Sequence, residues 1–238
     1  MQLAIVTGGS KGLGEALCQL YIEKNWQVWE LSRSGKNDYS ITCDFSDREK
    51  AATIVDDVFG DLATEDWERV VLFNNVADLN PIGPLDTSTP ESWFRHIDVN
   101  WASVVLSCGL FSKHFQQHKA NKYMAHISSG AARRDISGWS LYCASKAAME
   151  RFSGVMALEQ AEQAHPIRSI IINPGVMDTN MQQLIRQQSS DVFQDVAQFK
   201  QLHQQQQLAD PQSVAEACVR IMDSYPANGS YCDVKNVE

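Results

Sequence analysis

The sequence predicts an α/β protein, a doubly wound parallel sheet of about seven strands in one domain. Three observations point there. Short runs rich in Val, Ile and Leu recur along the chain, the segments between them carry helical apolar spacing, and the first run leads straight into a glycine-rich turn. Continuous apolar runs are what strands buried on both faces require, because helices cover both sides of a parallel sheet.

In chain order, strands are expected at residues 3–6, 28–31, 39–43, 70–73, 124–127, 169–172 and 231–234. The first helix follows the glycine-rich turn, where Leu13, Ala16, Leu17, Leu20 and Tyr21 place one apolar stripe at i, i+3, i+4, i+7 and i+8. A second helix-like stretch begins at Tyr142. After the sixth strand and a Pro174-Gly175 break comes a segment rich in glutamine, with four in a row at Gln204 to Gln207. A solvated pair of helices is the plain account of it. Its place beyond a strand C-terminus, where ligands of such sheets bind, favours a mobile substrate flap at about 178–208.

The chain of 238 residues is 44% hydrophobic and shows no linker, composition shift or repeat, so 1–238 reads as a single domain. It carries 20 basic against 29 acidic side chains, a net charge of -9, which argues against nucleic acid or an anionic membrane as partner. Six cysteines are scattered without a Cys-x-x-Cys pair or a Cys/His cluster, so neither a disulfide framework nor a metal site is expected. The N-terminus has no signal-like region and no apolar run approaches the ~18 residues of a membrane span. The expectation is a soluble, cytoplasmic protein.

Chemistry concentrates in a few places. Thr7-Gly8-Gly9-Ser10-Lys11-Gly12-Leu13-Gly14 is a turn whose glycines allow close approach to a pyrophosphate, with helix amides stabilising its charge. Gly8, Ser10, Lys11, Gly12, Leu13 and Gly14 are therefore candidate dinucleotide contacts. At the end of the second strand Ser32-Arg33-Ser34 offers no carboxylate for an adenosine ribose; Arg33, with Lys11, suits the 2'-phosphate of NADP instead. Asp44 and Phe45, after the third strand, could contact the adenine, an acidic turn residue being the equal alternative for Asp44.

Tyr142-Cys143-Ala144-Ser145-Lys146 puts a phenol and an ammonium on one helix face, with Ser128-Ser129 upstream at a strand end. A second pair at this spacing, Tyr231 and Lys235, lacks such serines. Carbonyl reduction needs a hydrogen-bond donor at the developing oxyanion and an acid. Ser129 could orient the carbonyl and Tyr142 protonate it, while Lys146 would lower the phenol pKa and hold the nicotinamide ribose. Trp139 is either a substrate-pocket wall beside Tyr142 or ordinary core.

In order, Thr-Gly-x-x-x-Gly-x-Gly from Thr7, Asn74-Asn75, Ser129, Tyr142-x-x-x-Lys146 and Pro174-Gly175 resemble the short-chain dehydrogenase/reductase family over nearly the whole chain. The resemblance implies a Rossmann-like sheet, a nicotinamide cofactor and a catalytic set matching Asn100, Ser129, Tyr142 and Lys146, with Asn100 holding a water in a proton relay. It places Pro174, Gly175, Val176 and Thr179 at the nicotinamide and Asn75 and Val76 along the cofactor. Where the family has Asn-Asn-Ala-Gly, this chain has Asn74-Asn75-Val76-Ala77, a change expected to adjust the backbone without abolishing binding.

Residues 138–144 and 177–184 are similar to sepiapterin and benzil reductases, which implies reduction of one carbonyl of a vicinal dicarbonyl with NADPH. Asp233 matches a pterin-anchoring position, and a solvated terminal residue is the equal alternative. Dimers or tetramers through 91–117 and 142–160 are also implied. The expected function is thus an NADPH-dependent carbonyl reductase of a small molecule. Its alternatives are a reductase of 3-oxoacyl thioesters or aldehydes and a catalytically silent dinucleotide sensor.

Overall fold

The computed structural model describes residues 1–237. Seven parallel strands form one sheet: β1 (Gln2–Thr7), β2 (Gln27–Ser32), β3 (Ser40–Thr42), β4 (Arg69–Asn74), β5 (Asn121–Ile127), β6 (Ile167–Asn173) and β7 (Tyr231–Asp233). Their order is β3-β2-β1-β4-β5-β6-β7, with Leu3 paired to both Gln27 and Val70. Chain direction across the sheet reverses between β1 and β4, the switch point at which such sheets open a crevice.

Eight α-helices accompany the sheet among the described residues: α1 (Gly12–Glu23), α2 (Arg48–Leu62), α3 (Pro90–Ile97), α4 (Ser103–Phe115), α5 (Ser140–Ala161), α6 (Asn180–Arg186), α7 (Val196–Gln204) and α8 (Pro211–Asp223). Side chains alternate across each strand. Ala4, Val6, Val71 and Phe73 therefore pack under α1 and α8, while Leu3, Ile5, Val70 and Leu72 pack under α2 and α4. Every one of these eight is buried, which is why the strands read as unbroken apolar runs. No helix among the described residues is long and apolar enough to cross a membrane.

Two local features place the site. Thr89 and Ser92 form a capping box with Pro90 in the first turn, starting α3, which runs through a π-turn at Asp98–Ala102 into α4. A π-turn carries an extra residue and re-aims the side chains on it, here including Asn100. The excursion after β6 is tied at its base, where Asp178 N donates to Ala209 O (2.9 Å) and Ala209 N to Val176 O (3.0 Å). Its glutamine tract is exposed, yet Ile185, Phe193, Val196 and Phe199 are buried against Leu79, Ile136, Trp139 and Tyr142. The segment forms two helices, α6 and α7, that are not wholly solvated, because their apolar side chains pack beside the C-terminal edge of the sheet.

Candidate active site

Two adjoining cavities lie along that edge. The first, of about 460 Å³, is lined by Gly8, Ser10, Lys11, Gly12, Leu13, Gly14, Arg33, Asp44, Phe45, Asn75, Val76 and Thr179. The second, of about 410 Å³, is lined by Ser129, Trp139, Tyr142, Lys146, Pro174, Gly175, Val176 and Thr179, together with Ile136, Gln182, Ile185 and Phe199. Leu13, Asn75, Ala77, Met177, Thr179 and Met181 belong to both, so the two form one continuous cleft.

The first cavity is built by backbone proximity. A Cβ on Gly14 would stand 2.2 Å from the carbonyl oxygen of Gly8, so no side chain fits there. Gly8 itself has φ +72°, the left-handed region, and turns the chain away from β1. Asn75 locks the turn by donating from Nδ2 to the carbonyl oxygens of Thr7 and Gly8, both at 3.0 Å. The Thr7 hydroxyl accepts from the amides of Asn75 (3.0 Å) and Val76 (3.2 Å). Positive φ outside glycine occurs only at Asn25, Gln206 and Tyr225 among the described residues, so Ala77 needs no glycine. The replaced family residues are accommodated with the turn intact.

Helix α1 starts at Lys11 with no side-chain cap, leaving its first amides to face the cavity. Further along, Ser10 and Ser34 hydroxyls meet at 3.2 Å beneath Arg33 and Lys11, both exposed. Glu30 lies two residues before the strand end but is fully buried beneath Gly35, away from the cavity lining. Asp44 accepts from the Ser46 amide (2.9 Å) and hydroxyl (2.7 Å). Burial works to raise its pKa, but those bonds and the Arg33 and Arg95 charges hold the carboxyl below its usual range.

In the second cavity α5 presents Tyr142 and Lys146 on one face, and both are buried. Lys146 Nζ donates to the carbonyl oxygen of Ile127 (2.7 Å) and lies 5.8 Å from the Tyr142 ring centroid. Ser129 ends the loop after β5, with its hydroxyl accepting from Ala131 N (3.2 Å). The electrostatics correct one sequence expectation. Burial pushes the Tyr142 phenol up to about 12, with the Ser129 hydroxyl pulling the other way, so Lys146 does not bring it below an ordinary tyrosine. The same desolvation drives Lys146 down to about 8, which leaves it an ammonium at neutral pH.

Asn100, on the π-turn, lies outside both linings and is buried; its amide donates to the carbonyl oxygens of Asp78 and His96 and accepts from Asp78 N, all at 3.0 Å. Asp233 is likewise absent from both linings. Its oxygens accept from Asn173 Nδ2 (2.9 Å) and Lys235 N (3.0 Å), so its carboxylate is engaged by the fold. Trp139 unites its two readings, being buried and stacked on Phe193 (4.9 Å) while forming the wall beside Tyr142 (5.5 Å).

Several residues escaped the sequence reading. His96 is buried edge-on to Tyr142 at 6.4 Å, with Nδ1 donating to Asn80 O (2.7 Å); burial, aided by the Lys146 charge, holds its pKa below the usual range. Its only sequence signal is a place one turn before Asn100. Phe193, Phe199 and Arg134 also reach this cavity or its wall, and no local pattern marks them; Lys235, marked in the sequence only as half of the second Tyr-Lys pair, lines it as well.

The short chain dehydrogenase family model matches residues 2–190. A benzil reductase ((S)-benzoin forming) of Bacillus subtilis (strain 168) is 32% identical over 241 residues, covering 99% of each chain. A sepiapterin reductase of Rattus norvegicus is 32% identical over 130 residues, 53% of this chain and 48% of its own. The solved KRED1-Pglu enzyme superposes with a TM-score of 0.84 at 26% identity, covering 97% of this chain and 100% of its own. The fold of this family takes nicotinamide dinucleotides, and the uncapped amides and side-chain-free turn described above fit such a group. The chain belongs to the short-chain dehydrogenase family and is an oxidoreductase similar to the benzil and sepiapterin reductases.

Proposed function

We propose that the protein is an NADPH-dependent carbonyl reductase acting on one carbonyl of a vicinal dicarbonyl, with Ser129 and Tyr142 at the reacting oxygen. The observation that carries this reading is the continuity of the cleft. A turn suited to a pyrophosphate opens, through Leu13, Asn75 and Thr179, into an aromatic cavity where Tyr142, Ser129 and Lys146 converge.

The amides of α1 and the glycine turn would hold the pyrophosphate, and Arg33 with Lys11 a 2'-phosphate. Pro174, Gly175, Val176 and Thr179 would face the nicotinamide. When bound, NADPH supplies the hydride. Ser129 donates to the carbonyl oxygen and sets its direction, and Tyr142 delivers the proton as negative charge develops there. A phenol held near 12 enters this step fully protonated at neutral pH, as a reductive direction requires. Lys146, bonded to Ile127 O, is placed to bind ribose and return the proton, and Asn100 would hold the water of that relay. The excursion at about 178–208 acts as a flap, its Phe199 lining an apolar chamber that suits a ring-bearing substrate and its Phe193 supporting the Trp139 wall.

The test is NADPH oxidation by purified protein with benzil, sepiapterin, a small diketone, a 3-oxoacyl thioester and a plain aldehyde, with NADH in parallel. Turnover of the dicarbonyls with NADPH supports the reading. Tight NADPH binding with no turnover of any of them would favour a dinucleotide sensor.

A further inference from the structure

The cavity beside Tyr142 is opposite in charge to the molecule around it. Although acidic side chains outnumber basic ones by 29 to 20 in the chain, this lining holds three cations, Arg134, Lys146 and Lys235, and no aspartate or glutamate. Lys146 is buried and bonded to Ile127 O. Arg134 and Lys235 are exposed at the rim, and neither has an ion-pair partner among the described residues.

The neighbouring arginine sharpens the contrast. Arg133 donates to Glu150 (2.9 Å) and lies 3.6 Å over the Tyr231 ring, so it belongs to the fold, while Arg134 beside it turns to the cavity. Arg134 Nε is 4.0 Å from where a Cβ on Gly130 would sit, one residue past Ser129. Lys235 Cε is 3.6 Å from the corresponding point on Gly175. The two cations therefore stand on separate walls, one at the end of β5 and one at the end of β6, with Ile136, Trp139 and Phe199 completing an apolar chamber. An anion entering at this rim meets two cations and no carboxylate of the lining. A guanidinium beside the carbonyl-orienting serine suits a planar carboxylate attached to the reacting ketone.

We propose that the physiological substrate is an anionic carbonyl compound, an aryl-bearing 2-oxo acid whose carboxylate binds Arg134 while Ser129 orients the adjacent ketone. Lys235 adds attraction from the facing wall. The proposal rests on the reductase reading and narrows it, since the carboxylate occupies the place of the second carbonyl of a dicarbonyl. Hydride from NADPH goes to the ketone carbon, the carbon–oxygen π pair takes the Tyr142 proton, and solvent restores that proton. The products are the 2-hydroxy acid and NADP+.

The test compares phenylglyoxylate with its methyl ester, a matched anionic and neutral pair, alongside benzil, each with NADPH. Without a cation for it the carboxylate is the poorer substrate, because the ester is the more electrophilic ketone. The expected result is a kcat/KM for the acid at least about tenfold above the ester, the scale of a charge-assisted hydrogen bond. That advantage should shrink as salt rises from about 0.02 to about 0.5 M. Arg134→Gln should lower the acid-to-ester ratio about tenfold and Lys235→Gln about two- to threefold, with NADPH affinity reporting that each variant is folded. Reduction of ester or benzil with no preference for the acid, and no response of the ratio to salt or Arg134→Gln, would overturn this proposal while leaving the reductase standing. No oxidation of NADPH with any of the three would overturn both.

Discussion

The two ends of the cleft are made in different ways. The dinucleotide end is backbone: a turn so tight that Gly14 has no room for a methyl group, pinned by Asn75 and Thr7 and left open at uncapped helix amides. The far end is side chain: Tyr142, Trp139, Phe193 and Phe199 packed from segments more than fifty residues apart in sequence, with cations at the rim. Backbone geometry recognises what every dinucleotide shares, so it tolerates change only where the turn is left intact, as at Val76 and Ala77. Side-chain packing recognises one body among many, and it can be re-cut residue by residue.

The sharpest way to separate the ends is Tyr142→Phe. Turnover should fall by about 10²- to 10⁴-fold, the contribution of a general acid, while NADPH affinity by fluorescence stays within a fewfold. Survival of activity within that same fewfold would remove Tyr142 from the chemistry. Gly14→Ala acts at the opposite end. It forces an overlap worth roughly 1–3 kcal/mol and should weaken NADPH by about 10- to 100-fold. An unchanged dissociation constant would mean that the turn does not carry the pyrophosphate.

Arg33→Ala should weaken NADPH about tenfold or more and NADH hardly at all, since only the former bears the extra phosphate. Equal weakening of both would place Arg33 elsewhere. The ends should also differ in pH response. Burial holds Lys146 near 8, so its ammonium is present below that pH and lost above it. Reductive kcat/KM should then decline up to about tenfold per unit as pH rises past 8, with NADPH affinity read over the same range as the comparison. Smallest of all, Phe193→Leu trims the wall stacked on Trp139 and should change KM for a ring-bearing carbonyl by about two- to fivefold, leaving NADPH unaffected.

The same division explains what could be read from the chain. The five inner strands lie where apolar runs were expected, because burial on both faces writes itself into consecutive residues, while the edge strands β3 and β7, partly exposed, fall within the expected 39–43 and 231–234 without such runs. The glycine turn and the Tyr142 to Lys146 spacing were legible for a similar reason: each is a local device whose function depends on neighbours in sequence. The repeat of that spacing at Tyr231 and Lys235 lies on β7 and the turn after it, so it forms no helical pair. What could not be read was anything depending on burial of charge. The spacing invited a depressed phenol, and the packing around it raised the phenol instead.

By itself, then, the sequence determined the doubly wound sheet, the backbone cradle and the phenol–ammonium pair, since periodicity and local spacing encode all three. Only the tertiary structure decided that Asp233 is tied to Asn173, that Arg133 is paired while Arg134 faces the cavity, that His96 lies against Tyr142, and that Phe199 lines the chamber with Phe193 stacked on Trp139. These depend on which distant segments meet beyond the strand ends, and both desolvation and charge pairing are set by that meeting rather than by any residue's neighbours in the chain.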